Sequence, residues 1–269
     1  MSNRQARTES LLFHHSSVRA LEDQRILTSP AGRGIWRSDD EGGWESWIHG
    51  LPSNVHVNRL CEGIDRGKMF ACTDLGLYEM KGSQWKDMKL PIVCYAYREL
   101  GQIGFAATEH GLWCNTAKGW KNIASAQNAV YDFYVTPQFI YLALPWGIAM
   151  YDRLTCAWEQ FTLGAAIVRL AAYEGALLGI TDKGKIVRSN REGGFDRFDL
   201  SGIFVFNAVQ QHHSLYFCTD RGLYRAATLR GQLALLSVTL GCPTTDLDLH
   251  GGRMHLATLH EGIQTIQWH

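Results

Sequence analysis

Four charged residues stand where an apolar strand would bury them. The segments VRAL, VNRL, CYAY, VYDF, IVRL, FNAV and DLDL read as short apolar β-type runs. Their third positions hold Ala20, Arg59, Ala96, Asp132, Arg169, Ala208 and Asp248. Two arginines and two aspartates in such places are costly unless each meets an opposite charge. One reading is a polar plug whose charges cancel across a shared centre. The other is a charged pocket, where Arg59 or Arg169 holds a carboxylate or phosphate through two parallel hydrogen bonds. Asp132 or Asp248 then acts as a base or cation ligand. The adjoining Asn58, Tyr95, Tyr131 and Asn207 are polar groups of the kind that orient a ligand.

Histidines supply a second set of candidates. His49 and His56 precede VNRL, while His110 and His260 sit in polar turns. His56 is a candidate acid–base group, and the four together are candidates for a metal site. No HxH or HExxH spacing accompanies them, so no cofactor is predicted and a metal ion is the alternative. His14-His15 and His212-His213 read as surface pairs. Trp146 occupies a turn as Leu-Pro-Trp where the matching turns read Thr-polar-polar, so it either stacks on a ligand or packs on a neighbouring loop. The chain contains no nucleophile elbow, no phosphate loop and no GxGxxG opening a helix.

These residues need elements to position them, and an internal repeat provides them. The segments RILTSPAGRGIW, MFACTDLGLYEM, GFAATEHGLWCN, IYLALPWGIAMY, ALLGITDKGKIV, LYFCTDRGLYRA and MHLATLHEGIQT share one pattern. An apolar run meets a short polar turn, then a glycine opens a second β-rich run. The glycines are Gly34, Gly76, Gly111, Gly147, Gly184, Gly222 and Gly262, spaced 42, 35, 36, 37, 38 and 40 residues apart. Nine to eleven residues after each of the first six comes Trp44, Trp85, Trp120, Trp158, Phe195 or Leu233, opening a further run. With the apolar segments upstream, each unit holds four short strands, the period of a propeller blade.

The reading is therefore all-β: a seven-bladed β-propeller of four-stranded antiparallel blades in a single domain, 1–269. The blades fall near 18–52, 53–91, 92–126, 127–164, 165–202, 203–243 and 244–269. The seventh lacks a fourth strand of its own, and residues 10–17, including Ser10 to His15, are expected to supply it and close the ring. Glycine is expected to accept positive φ at each turn, and the outer aromatics to cover the gaps between blades. The turns joining second to third strands are expected to share one face with the blade-to-blade connections, and the pocket to open there.

The GLY and GLW turns followed by Trp resemble regulator-type propeller repeats and the loosely related BNR or Asp-box propellers. In RSDDEGGWESW, Ser38, Asp40, Gly42 and Trp44 roughly fit an Asp-box. In RSNREGGFDRF, Ser189, Arg191 and Gly193 lack the aspartate. In that family the box is a hairpin device, so the resemblance implies fold and not activity. Sialidases on the BNR fold need an arginine triad and a Tyr–Glu pair, a set that does not map onto this chain.

Composition narrows the function. The 26 basic and 26 acidic residues cancel without a run of one sign, which disfavours nucleic-acid and membrane surfaces. No apolar stretch reaches the roughly 18 residues of a spanning helix. Seven cysteines without a CxxC pair point to a reduced, cytoplasmic setting rather than a disulfide or zinc framework. An extracytoplasmic form separated from its leader is the alternative. The function expected is a soluble binding module that takes a protein partner or a small polar or anionic ligand around the central channel. The competing reading is an enzyme of lyase, cyclase or hydrolase type, and a third is an assembly factor.

Overall fold

The computed structural model describes residues 17–65, 67–198, 200, 202–211 and 213–268. Six four-stranded antiparallel sheets follow one another in sequence order, and a seventh has three strands among the described residues. The innermost strands are Ser17–Ala20, Val57–Glu62, Cys94–Leu100, Asp132–Val135, Ile167–Tyr173, Val205–Gln211 and Thr244–His250. Each sheet then runs outward through successive hairpins, as the repeat predicts. The fold is a seven-bladed β-propeller, with only a short 3-10 turn at Pro30–Gly32 among the described residues that is helical. The proposed closing segment, Ser10 to His15, lies outside the described residues. Ser17 belongs to the innermost strand of the first blade.

The seven glycines all take positive φ. At Gly147 (φ +153) a Cβ would lie 1.9 Å from the carbonyl oxygen of Phe161, on the outermost strand of the same blade. The glycine thus serves a close backbone approach as well as a turn. Threonine, where it precedes the turn, closes it from the other side. The hydroxyls of Thr73, Thr108 and Thr219 donate to the carbonyls of Gly76, Gly111 and Gly222, each at 2.8 Å.

Apolar clusters form between blades, so each blade buries its faces against its neighbours. Leu27, Val57, Leu60 and Trp85 join the first two blades, and Phe70, Cys72, Cys94 and Tyr97 the next two. Trp85 is buried, and its indole donates to Trp47 of the preceding blade at 2.8 Å. Trp120 does the same to Met88 at 2.7 Å, and Phe195 meets Phe161 edge-on. Trp44 and Trp158 depart from the expectation and stay exposed. Trp158 packs along its own hairpin on Tyr151, with ring centroids 4.9 Å apart.

The Asp-box-like hairpins are turn devices, but their register is one residue off the sequence match. Asp39, not Asp40, accepts the amides of Glu41 and Gly43, and Asn190 accepts those of Glu192 and Gly194. An amide side chain does the work of the missing aspartate.

Candidate functional site

The innermost strands carry a β-bulge at nearly the same place in most blades. In the second blade Val57 pairs with Thr73 and Arg59 with Cys72, leaving Asn58 extra. Tyr95, Val168, Phe206 and Thr245 are the extra residues of the third, fifth, sixth and seventh blades. Bulges re-aim side chains, and here they turn a ring of residues toward the axis. Tyr95 meets Tyr131 edge-on at 5.2 Å, and Tyr131 packs with Val168, Phe204 and Phe206. This layer gathers aromatic side chains of the third, fourth and sixth blades at the end nearest the Thr-x-x-Gly turns.

Beyond that layer lies a cavity of about 390 Å³. Its lining includes Arg19, Arg59, Arg98, Asp132, Arg169 and Asp248, and extends to Glu62, which ends an innermost strand, and to Gly63 and Ile64 in the turn after it. The cavity therefore sits toward the face opposite to the one expected from sequence. The tyrosines and phenylalanines at the bulges occupy the expected end.

Asp132 is the hub. One oxygen accepts Arg98 Nη1 at 2.8 Å and its neighbour's amide, Phe133 N, at 2.9 Å; the other accepts Leu170 N of the next blade at 3.0 Å. Arg59 Nη1 stands 3.5 Å away. Burial pushes the Asp132 carboxyl upward, but Arg98, Arg59 and Arg169 outweigh it and hold it at about 2. Arg98 also donates to the Phe133 carbonyl. Arg169 is almost wholly buried and donates to the Val168 carbonyl at 2.7 Å. Burial first, then the like charge of Arg59, pull it down to about 9, against the opposing influence of Asp132 and Asp246. Arg59 and Arg98 thus stand within ion-pair distance of Asp132, while Arg169 lies in the field of both Asp132 and Asp246.

On the far side of the ring the balance differs. Asp246 accepts Arg19 Nη1 and Ser17 Oγ at 2.8 Å, Val18 N at 3.1 Å and Asn207 Nδ2 at 3.1 Å. Burial lowers the Arg19 pKa, but Asp246 and then Asp248 overcome it and raise it. Asp248 accepts Ala20 N at 2.7 Å and Gln211 Nε2 at 2.9 Å. These bonds lace the seventh blade to the first and to the sixth.

Of the residues singled out in sequence, Arg59, Asp132, Arg169, Asn207 and Asp248 converge on the cavity. The alignment needs correction in three blades. In the first, Ala20 pairs with Ile26 at the start of the next strand, whereas Arg59, Asp132 and Arg169 pair near the end of theirs. Asn207 and Asp246 hold the register place of Arg59, Asp132 and Arg169, opposite Cys218 and Ala257, rather than Ala208 and Asp248. Asn58 is buried and donates to the Cys94 carbonyl at 2.8 Å, a blade-to-blade tie. Tyr95 and Tyr131 belong to the aromatic layer. Trp146 packs on the core between the third and fourth blades. None of these four lines the cavity, and neither does His56, whose amide donates to Asp74 at 2.8 Å. His49, His110 and His260 are exposed. Among the described residues no three His, Cys, Asp or Glu side chains are grouped to hold a metal ion. Sequence reasoning missed Arg19, Arg98, Asp246, Glu62 and Gln211. Arg19 and Asp246 were visible as charges inside apolar segments already aligned.

Fold and cavity define the class: a seven-bladed propeller with a charged pocket on its axis. No protein-family model matches the chain, and no curated protein matches it. Solved structures do. The extracellular domain of the putative one component system BT4673 from B. thetaiotaomicron aligns over 92% of this chain, with TM-score 0.72 and 13% identity; this chain spans 37% of that one. Virginiamycin B lyase from Staphylococcus aureus aligns over 96% of both chains (TM-score 0.69, 11% identity). YCF48, bound to a D1 peptide, aligns over 95% of this chain and 92% of its own (TM-score 0.67, 13% identity). At such identities the likeness is one of fold, and this fold is shared by a domain of a putative one component system, a lyase and a peptide-bound protein.

Proposed function

We propose that this protein is a binding module that holds a small carboxylate- or phosphate-bearing ligand in the channel cavity. The observation carrying the reading is the gathering of Arg59, Arg98 and Arg169 around Asp132, with Arg59 and Arg98 within ion-pair distance of it. Like charges this close repel in a site partly shielded from water; Arg169 is depressed first by burial and then by the like charge of Arg59. An entering anion relieves the excess and accepts from guanidiniums already fixed in place. Asp132 is a poor base at neutral pH, being ionised down to about 2, and His56 is outside the cavity, so the geometry supports binding over acid–base chemistry.

The test is a titration of the purified chain with inorganic phosphate, sulfate and small carboxylates, read by thermal shift and calorimetry. Binding should weaken at least tenfold in Arg59→Gln. An absence of any response at millimolar anion, or full retention of affinity in Arg59→Gln, would overturn the reading.

A further inference from the structure

The cavity is not polar all round. Two residues along each inner strand from the layer of Arg59, Asp132 and Arg169, the second to seventh blades each add a further residue to its lining. In blade order these are Cys61, Arg98, Tyr134, Ala171, Val209 and Asp248. The fourth, fifth and sixth blades thus form a continuous uncharged wall, to which Leu170 and Ala208 also belong. Tyr134, Ala171 and Val209 pack on the apolar clusters between blades, so the core holds this wall in place. In a ring of seven, the fifth and sixth blades stand opposite the second, which carries Arg59. Arg59 Nη2 is a buried donor without an acceptor among the described residues.

The wall limits what an anion at Arg59 can be attached to. A second charged or hydroxyl group laid on Leu170, Ala171 and Val209 gives up water for side chains that offer no hydrogen bond. An alkyl or aryl group gains by the same burial. A volume of about 390 Å³ suits a small molecule. We infer that the ligand is a small acid with one charged end and a short alkyl or aryl body. Its acidic group lies at Arg59 and Arg98, and its body crosses the channel to Ala171 and Val209. This rests on the anion-binding reading above and names the class of anion.

The experiment titrates the full chain, by calorimetry, with straight-chain monocarboxylates from acetate to hexanoate, with adipate and with hexanol. Affinity should rise about fourfold per methylene while the wall is being covered. Hexanoate should bind roughly tenfold or more tighter than adipate, which puts a second carboxylate on the wall, and than hexanol, which lacks the acid. Val209→Asn should cut the hexanoate-to-acetate affinity ratio roughly fivefold. Thermal melting checks its folding, and if it does not fold the wild-type series carries the test. A flat series, adipate as tight as hexanoate, or a full ratio in folded Val209→Asn overturns the apolar body. If acetate still binds in that case, only this inference fails. If no acid binds, or hexanol binds as tightly as hexanoate, the anion site itself fails.

Discussion

Asp132 joins two roles in one side chain, lacing the fourth blade to the fifth through Leu170 N and setting the charge of the cavity through three arginines. Its carboxyl titrates near 2 when folded, against 3.8 as the ordinary value. The unfolded chain therefore takes up the proton first as pH falls. The stabilisation is complete above about pH 5 and is lost as the pH falls toward 2, on the order of 2 kcal/mol by linkage. Asp132→Asn should lose more than this at neutral pH, about 3–5 kcal/mol, because three arginines lose their shared counter-charge. It should also flatten the loss of stability between pH 4 and pH 2. Urea unfolding across that range checks both, and a variant that keeps the wild-type acid dependence would contradict the assignment.

Hairpins and bulges form the next scale. Thr73, Thr108 and Thr219 tie their hydroxyls to the carbonyls of Gly76, Gly111 and Gly222, and Gly111, Gly147 and Gly222 each lie against a carbonyl of the outermost strand. Gly147→Ala meets both a strained φ and the Phe161 carbonyl, whereas Gly231→Ala, with φ +77 and open space around it, meets only the φ penalty. The second change should cost about 1 kcal/mol and the first clearly more, above about 3 kcal/mol. Thermal melts of the two variants read the difference; equal losses would remove the close-approach argument. Part of the site escaped sequence reasoning because two apolar runs were aligned from the wrong residue. The bulge sits at the same place in the second, fifth, sixth and seventh blades, but Val205 and Thr244, not Phe206 and Asp246, hold the place of Val57 and Ile167. Asn207 and Asp246 therefore take the places that the apolar pattern gave to Ala208 and Asp248. Arg59 and Arg169 were legible because their strands open on the apolar residues from which the alignment started, and Asp132 because it opens its own.

At the scale of the whole molecule, the propeller is a ring, and the joint between its last and first blades is under separate control. Inner strands Thr244–His250 and Ser17–Ala20 meet there, and two aspartates of the seventh blade accept amides of the first. Asp246→Ala removes the acceptor for Val18 N, Ser17 Oγ and Arg19 together. Hydrogen exchange should rise in the first and seventh blades of this variant while the third, fourth and fifth remain protected. Uniform loosening of all blades would show that the seam has no independent role.

The repeat by itself determined the architecture, because a forty-residue unit of four short strands cannot bury its faces alone and must lean on copies of itself. It also marked most of the charges at the axis, since a charge inside an apolar run is conspicuous without coordinates. Which end of the channel carries the cavity, and which arginines meet at Asp132, were decided only in three dimensions. Those outcomes depend on bulged strands from different blades meeting across the axis, and such meetings leave no periodic trace along the chain.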